Sequence, residues 1–267
     1  MNSVSRRRRS STPVGLVALS VVAIAFLTLP LIGLGARTPW GQLGTLLRDP
    51  AVSQTLRLSL VVSLSALALA TLLGVPLAWL LARVEFPGRA LVRAVAVLPM
   101  VLPPVVGGVA LLLAFGRRGL FGHVLYDLTG WSLPFTTAGV VLAETFVAMP
   151  FLVVTVESGL RSMDRRYEEA AATLGASRWA ILRQITLPLI APSLAGGMAL
   201  CWARALGEFG ATITFAGNLP GRTQTMPLAV YVELESNPPA AYLLSFLLLV
   251  ISIVVLVALR DRYLGQR

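Results

Sequence analysis

Long apolar runs separated by polar connectors dominate the pattern of this chain. Six of the runs are long enough for a helix that crosses a bilayer, which takes about 20 mostly apolar residues. They lie at 14–35, 55–81, 95–116, 137–157, 189–213 and 240–259. The pattern therefore predicts an all-α, polytopic membrane protein with six transmembrane helices.

The arginines between these runs predict the orientation of the chain. If the N-terminus is cytoplasmic, the connectors on the cytoplasmic side hold 15 arginines and those on the outer side hold five. An excess of basic residues marks the cytoplasmic side. We therefore expect both termini in the cytoplasm, as a basic tail over 1–13 and a short tail over 260–267. Arg6 to Arg9 would anchor the first helix beside anionic lipid.

Composition supports this interpretation and excludes several classes of protein. Hydrophobic residues make up 56% of the chain, charged residues 13%, and the mean hydropathy is +0.80. All 22 basic residues are arginine, so a P-loop with its phosphate-binding lysine is absent. The single Cys201 and the single His123 predict no intrachain disulfide and no metal site. The net charge of +10 lies mainly in connectors, which favours a membrane protein over a nucleic-acid-binding one.

The longest cytoplasmic connector, 158–188, has a pattern of its own. Asp164 is a plausible N-cap for a short helix, and Gly175 can end that helix with a left-handed turn. A second amphipathic run then leads to Pro188. The alanines at 170–172 would let another surface approach the first helix closely. The connector either docks into a cleft on a cytoplasmic partner or lies on the membrane surface.

The fifth run contains two charges that a bilayer disfavours, Arg204 and Glu208. Each costs about 2.5–3.5 kcal/mol at the centre of a spanning helix. They lie four residues apart and therefore share a helix face. Two roles stay open, a buried pair that locks two helices and a charged lining of a substrate path. Gly207 and Gly210 would permit close approach of another helix.

The third run contains two prolines followed by two glycines. The four residues are Pro103, Pro104, Gly107 and Gly108. They predict either a kink that neighbouring helices accommodate or a flexible gate beside a pore.

A signature within the 158–188 connector resembles that of ABC importer permeases. The signature is Glu-Ala-Ala, three residues, Gly, nine residues, Ile, one residue and Leu-Pro. It falls on Glu169, Ala170, Ala171, Gly175, Ile185, Leu187 and Pro188. The resemblance implies the type I importer permease fold over 52–259, with the ATPase on a separate chain. It also implies that the connector docks on that ATPase through Glu169, Ala170, Ala171, Leu174 and Gly175.

Two further stretches are similar to molybdate permeases and, more distantly, to sulfate and thiosulfate permeases. They are "RALGEFGATITFAGNLPGRTQTMPLAVY" at 204–231 and "LPMVLPPVVGGVALLLAFGR" at 98–117. The similarity implies a molybdate path by alternating access, with sulfate, thiosulfate or tungstate as alternative substrates. The expected path residues are Arg204, Gly207, Glu208, Thr212, Pro103, Pro104, Gly107 and Gly108.

The same resemblance implies the partners of the chain. They are a second permease copy in a homodimer, a cytoplasmic ABC ATPase dimer that binds ATP and Mg²⁺, and an extracytoplasmic oxyanion-binding protein. The chain itself would then hold no cofactor and no catalytic site, and would lie in the plasma membrane of a prokaryote. The alternative class is an ion-coupled secondary transporter, which would work without ATP and would not require the two-helix connector.

Overall fold

The structure is a computed structural model, and it describes residues 14–263. Within this range the chain forms helices and no strand. A 3₁₀ turn at Trp40–Gln42 and a π-helical turn at Leu182–Thr186 accompany the α-helices. The α-helices are α1 Val14–Arg37, α2 Leu43–Arg48, α3 Pro50–Arg83, α4 Arg89–Val101, α5 Pro104–Phe115, α6 Gly122–Thr129, α7 Thr137–Ser162, α8 Arg166–Thr173, α9 Arg178–Ile181, α10 Leu187–Leu206, α11 Gly210–Ala216, α12 Met226–Ser236 and α13 Pro238–Tyr263.

Five described helical segments are long and apolar enough to cross a bilayer. They are Gly15–Arg37, Pro50–Arg83, Thr137–Ser162, Arg178–Leu206 and Pro238–Val255. The all-helical, membrane-spanning architecture predicted from the sequence is therefore present.

The third span was predicted as one helix over 95–116, but the structure divides it between α4 and α5. Leu102 adopts an extended conformation with ψ of 135°, and Pro103 follows it with ψ of 132°. Proline lacks the N–H that a continuing helix needs, and it also disfavours helical geometry in the residue before it. The predicted third span is therefore not a single helix long enough to cross a bilayer, and its second half is the short apolar helix α5.

The core lies where α3, α7 and α10 pack together. Small residues line the contact, among them Ala70 on α3, Ala148 on α7 and Ala205 on α10, all fully buried. Lipid tails are as apolar as leucine, so membrane helices associate through close packing rather than through a hydrophobic driving force. Small side chains permit that close packing and thereby fix the position of α10.

We expect Gly197→Val to destabilise the contact between α7 and α10. A Cβ at Gly197 would lie 3.1 Å from Leu152 Cδ1 and 3.2 Å from Thr155 Cβ, so the two further methyl groups overpack the contact. Such overpacking costs about 1–3 kcal/mol. Gly196→Val is the matched control, because a Cβ there has no atom within 4 Å. Thermal unfolding of the purified protein should separate the two variants, and equal midpoints would contradict the packing described.

Two of the arginines that predict the orientation of the chain, Arg89 and Arg93, donate hydrogen bonds to the last turn of α3. Arg89 Nε donates to the carbonyl oxygen of Leu81 at 2.9 Å, and Arg93 Nη2 reaches the same oxygen at 3.4 Å. The last carbonyls of a helix have no partner within the helix. The buried Glu157 on α7 pairs with Arg93 at 2.7 Å and with Arg161 at 2.8 Å. This cluster joins α3, α4 and α7 at the end nearest the 158–188 connector.

Candidate functional site

A break between α10 and α11 positions the charges of the fifth predicted span. Helix α10 ends at Leu206, and α11 begins at Gly210, so the continuous helix expected over 189–213 is interrupted. Glu208 lies within the break, where its Oε1 accepts a hydrogen bond from Ala211 N at 2.8 Å. A side-chain acceptor for a main-chain N–H at a helix start offers an alternative to continuing the preceding helix.

The side chain of Arg204, in the last turn of α10, forms an ion pair with that of Glu208 in the break. Arg204 Nη1 lies 2.6 Å from Glu208 Oε2. That oxygen has no partner with hydrogen-bond geometry among the described residues, so the contact is electrostatic rather than a well-aligned hydrogen bond. The Glu208 side chain is 1% exposed, whereas that of Arg204 is 27% exposed. Arg204 is therefore only partly enclosed and retains an open face.

Glu144 on α7 is a buried carboxyl of this region that the sequence interpretation missed. The residue is 1% exposed, and its Oε2 has no hydrogen-bond partner in the described part of the chain. The adjacent Ala143 packs in one cluster with Ala211 of α11. The signal was present in the sequence, because Glu144 is an acidic residue inside the apolar run 137–157. Ionisable residues within membrane spans are costly and commonly functional.

The break between α4 and α5 packs against α11, so both interrupted helices meet at one crossing. A Cβ added to Gly210 would lie 2.8 Å from Pro104 Cβ, and one added to Gly108 would lie 2.9 Å from Ala211 O. Interrupted helices that meet within the membrane are typical of transporter substrate sites. The structure therefore brings the predicted proline and glycine residues of the third span next to the segment that carries Glu208.

The remaining predicted path residues take different positions around this crossing. Gly107 packs against the ring of Phe146, because a Cβ added to Gly107 would lie 3.2 Å from Phe146 Cε1. Thr212 is fully buried, and its Oγ1 has no partner among the described residues. Gly207 and Pro103 are exposed. The predicted residues thus lie in one region, but they do not form a single lined surface within one chain.

A depression of about 520 Å³ opens beside Gly207. Its other lining residues are apolar or uncharged, and include Phe209 and Tyr231, whose ring centroids lie 5.2 Å apart. No charged residue of the described chain lines it. The depression therefore contains no cationic group that could bind a dianion. The partly exposed guanidinium of Arg204 is a cationic group at the break.

The connector between α7 and α10 forms the first short helix that its sequence predicts, α8. The predicted second helix does not end at Pro188, because the run from Arg178 continues through the π-helical turn into α10. Gly175 has φ of +83°, in the left-handed region. Its N–H donates to Ala172 O and the N–H of Ala176 donates to Ala171 O, both at 3.0 Å. This pair of bonds is the Schellman motif that ends helices at glycine. The helix begins at Arg166, two residues after Asp164, whose Oδ1 accepts from Arg166 N at 3.0 Å.

The two adjacent glutamates of α8 have different surroundings. Glu168 Oε2 lies 3.2 Å from Arg83 Nη2 at the end of α3, and its Oε1 accepts a hydrogen bond from Thr186 Oγ1 at 2.7 Å. Glu169 is exposed, as is Leu174, which is 88% accessible. Glu168 thus ties the connector helix to α3 and to the turn that leads into α10, a contact that sequence interpretation did not identify.

Comparison with protein families gives one match over most of the chain. The model described as "binding-protein-dependent transport system inner membrane component" matches residues 74–267. The molybdenum transport system permease protein ModB of Mycobacterium tuberculosis is 43% identical over 245 residues, which cover 91% of this chain and 92% of the relative. ModB of Escherichia coli is 44% identical over 215 residues, which cover 79% and 93%.

A sulfate permease and a solved transporter structure are more distant. The sulfate transport system permease protein CysT of E. coli is 36% identical over 224 residues, covering 83% of this chain and 80% of the relative. A chain of the bacterial alginate ABC transporter in complex with its periplasmic protein superimposes with a TM-score of 0.73 at 18% identity. The match covers 95% of this chain and 94% of that chain. At that identity the likeness concerns the fold alone.

Proposed function

The chain belongs to the family of binding-protein-dependent transport system inner membrane components, and from this premise we propose that it forms the membrane path of an ATP-driven molybdate importer. It is a transport component and a multi-pass membrane protein. The observation that carries the substrate class is the identity of 43–44% to two molybdenum permeases over most of the chain. The lower identity of 36% to a sulfate permease supports the same choice.

The exposed side of α8 is the proposed docking surface for a separate cytoplasmic ATPase. A leucine that is 88% accessible, Leu174, lies next to the turn at Gly175, and Glu169 and Ala170 are exposed beside it. An exposed apolar residue flanked by small residues suits insertion into a cleft. The inward contacts of Glu168 with Arg83 and Thr186 would carry a displacement of α8 into α3 and α10.

A homodimer is the proposed form of the path. The depression beside Gly207 has no charged lining, so a single chain does not surround a dianion with cationic groups. Two copies would bring two Arg204 side chains toward one axis, each partly neutralised by Glu208. Weak attraction suits transport, because an anion that binds tightly is not released. An extracytoplasmic oxyanion-binding protein would deliver the anion, and both termini would be cytoplasmic.

Uptake into vesicles tests this function. The permease, its ATPase and its binding protein are reconstituted together, and labelled molybdate is supplied with ATP inside or outside the vesicle. We expect uptake only with ATP on the ATPase side, competition by tungstate, and little competition by an equal concentration of sulfate, the smaller of the three anions. Uptake without ATP but with an ion gradient would identify a secondary transporter instead. Stronger competition by sulfate than by tungstate would reassign the substrate.

A further inference from the structure

A cavity of about 680 Å³ lies between the end of α3 and the α8–α9 connector. It is separate from the α10–α11 break, because helix α10 rises about 1.5 Å per residue and so places Arg204 about 25 Å from Leu187. Its lining residues are Trp79, Arg83, Arg165, Glu168, Glu169, Ala172, Arg178, Trp179, Ile181, Leu182 and Thr186.

Arg83 is a buried cation at this cavity with unused hydrogen-bonding capacity. Its side chain is 8% exposed. Its Nε and Nη2 have no hydrogen-bond partner among the described residues, although Nη2 lies 3.2 Å from Glu168 Oε2. Glu168 also accepts a hydrogen bond from Thr186. A buried guanidinium N–H without an acceptor is costly, so an oxygen-rich anion in the cavity would complete its surroundings.

The charge of the cavity lining fits a singly charged anion. Three arginines line it, Arg83, Arg165 and Arg178, against two glutamates, which leaves one excess positive charge. Arg165 is oriented toward α3, since its Nη2 donates to Ala82 O at 3.3 Å. A phosphodiester carries one negative charge, whereas a transported dianion or free phosphate near neutral pH carries more.

The rest of the lining matches a lipid rather than a soluble anion. Trp79 is 42% exposed and Trp179 is 69% exposed, and tryptophan is enriched where helices meet the headgroup layer. Ile181 and Leu182 add apolar surface beside them. A glycerol backbone and the first carbons of an acyl chain would contact such a surface.

We propose that this cavity binds the headgroup of an anionic phospholipid, with its phosphodiester oxygens against Arg83 and its apolar part beside Trp79. Basic pockets between membrane helices on the cytoplasmic side are suited to acidic headgroups. The assignment of this side to the cytoplasm rests on the proposed function. Because Glu168 and Thr186 lie in the same cavity, the bound lipid would stabilise the contact between the connector helix and α3.

Lipid retention by the purified permease–ATPase complex tests the inference. The complex is incorporated into nanodiscs of phosphatidylcholine mixed with phosphatidylglycerol, released, and analysed by native mass spectrometry for the lipid that stays bound. Hydrogen bonds to a charged group contribute enough that losing them should lower phosphatidylglycerol retention by about tenfold. We expect that loss in Arg83→Gln and a smaller loss in Arg178→Gln.

Arg183→Gln is the matched control, because Arg183 is an exposed arginine of the same connector that does not line the cavity. Arg178 is also exposed, so Arg178→Gln keeps the test decisive if Arg83→Gln does not fold. Equal retention by all variants, or equal loss in Arg183→Gln, would overturn the proposal. So would displacement of the lipid by inorganic phosphate, or a structure of the complex in which an ATPase side chain fills the cavity. Lipid retention is measured independently of transport. If the uptake experiment failed and the proposed function were wrong, the retention result would still test the lipid site.

Discussion

Glu208→Leu is expected to lower the amount of folded permease in the membrane several-fold. The substitution leaves the Arg204 guanidinium without its 2.6 Å partner and removes the acceptor of Ala211 N at the start of α11. Breaking a buried ion pair by removing one partner costs about 3–5 kcal/mol. We expect the lower end of that range, because Arg204 is 27% exposed. Even that loss is large beside a net stability of about 5–15 kcal/mol.

The double variant Arg204→Leu with Glu208→Leu separates the two roles that the sequence left open. Removing both charges leaves no uncompensated cation, so folded protein should return toward the native amount. Size-exclusion chromatography of the solubilised membrane measures the folded fraction, and vesicle uptake measures transport. If the pair only locks helices, uptake returns together with the protein. If Arg204 attracts the anion, the protein returns and uptake does not, which is the result we expect.

Two results would count against this account of the pair. A full amount of folded permease in the Glu208→Leu single variant would mean that the pair contributes little to the fold. Normal uptake by the double variant would remove Arg204 from the path. The exposed face of Arg204 would then be incidental, and the two breaks would be structural features alone.

Gly175→Pro is expected to abolish coupling between ATP hydrolysis and transport. Gly175 has φ of +83°, whereas proline is fixed near −65°, and its N–H, which donates to Ala172 O, would be lost. A cost of about 3 kcal/mol corresponds to a fall of about a hundredfold in the population of the native turn. We therefore expect loss of uptake and of binding-protein-stimulated ATPase activity, measured on the reconstituted complex.

Gly175→Asn is the matched control for this variant. Asparagine tolerates the left-handed region better than other residues with a Cβ, and a Cβ at this position has no atom within 4 Å. It should keep most of the coupled activity. The α7–α10 connector lies outside the core of α3, α7 and α10, so Gly175→Pro should still reach the membrane in normal amount. Normal stimulated ATPase activity in Gly175→Pro would contradict docking through this turn.

The connector illustrates how far local sequence signals reach. A left-handed glycine and a nearby acidic acceptor act within a few residues, so the short helix α8 is predictable from the chain alone. The continuation of the following run into α10 was not predicted. The neighbours Glu168 and Glu169 are a different case. Only packing against the end of α3 turns Glu168 toward Arg83 and Thr186 and leaves Glu169 exposed.

The helix breaks required information from outside the segments that contain them. Pro103 and Pro104 signal an interruption locally, yet its contact with Gly210 depends on a helix about a hundred residues away in the chain. The hydrogen bond from Ala211 N to Glu208 joins residues only three apart, but the buried setting of this break comes from the packing of Gly210 against Pro104. Hydropathy averaged over a span does not contain either contact.

The sequence by itself determined that the chain is a helical membrane protein with a short connector helix and a family signature, because long apolar runs and glycine turns act locally. Tertiary structure alone decided that both broken helices meet at one crossing, that Glu144 is buried, and that Arg89 and Arg93 donate hydrogen bonds to the end of α3. Those relations join residues far apart in the chain, and they arise because buried charges and unpaired main-chain groups require partners from other helices.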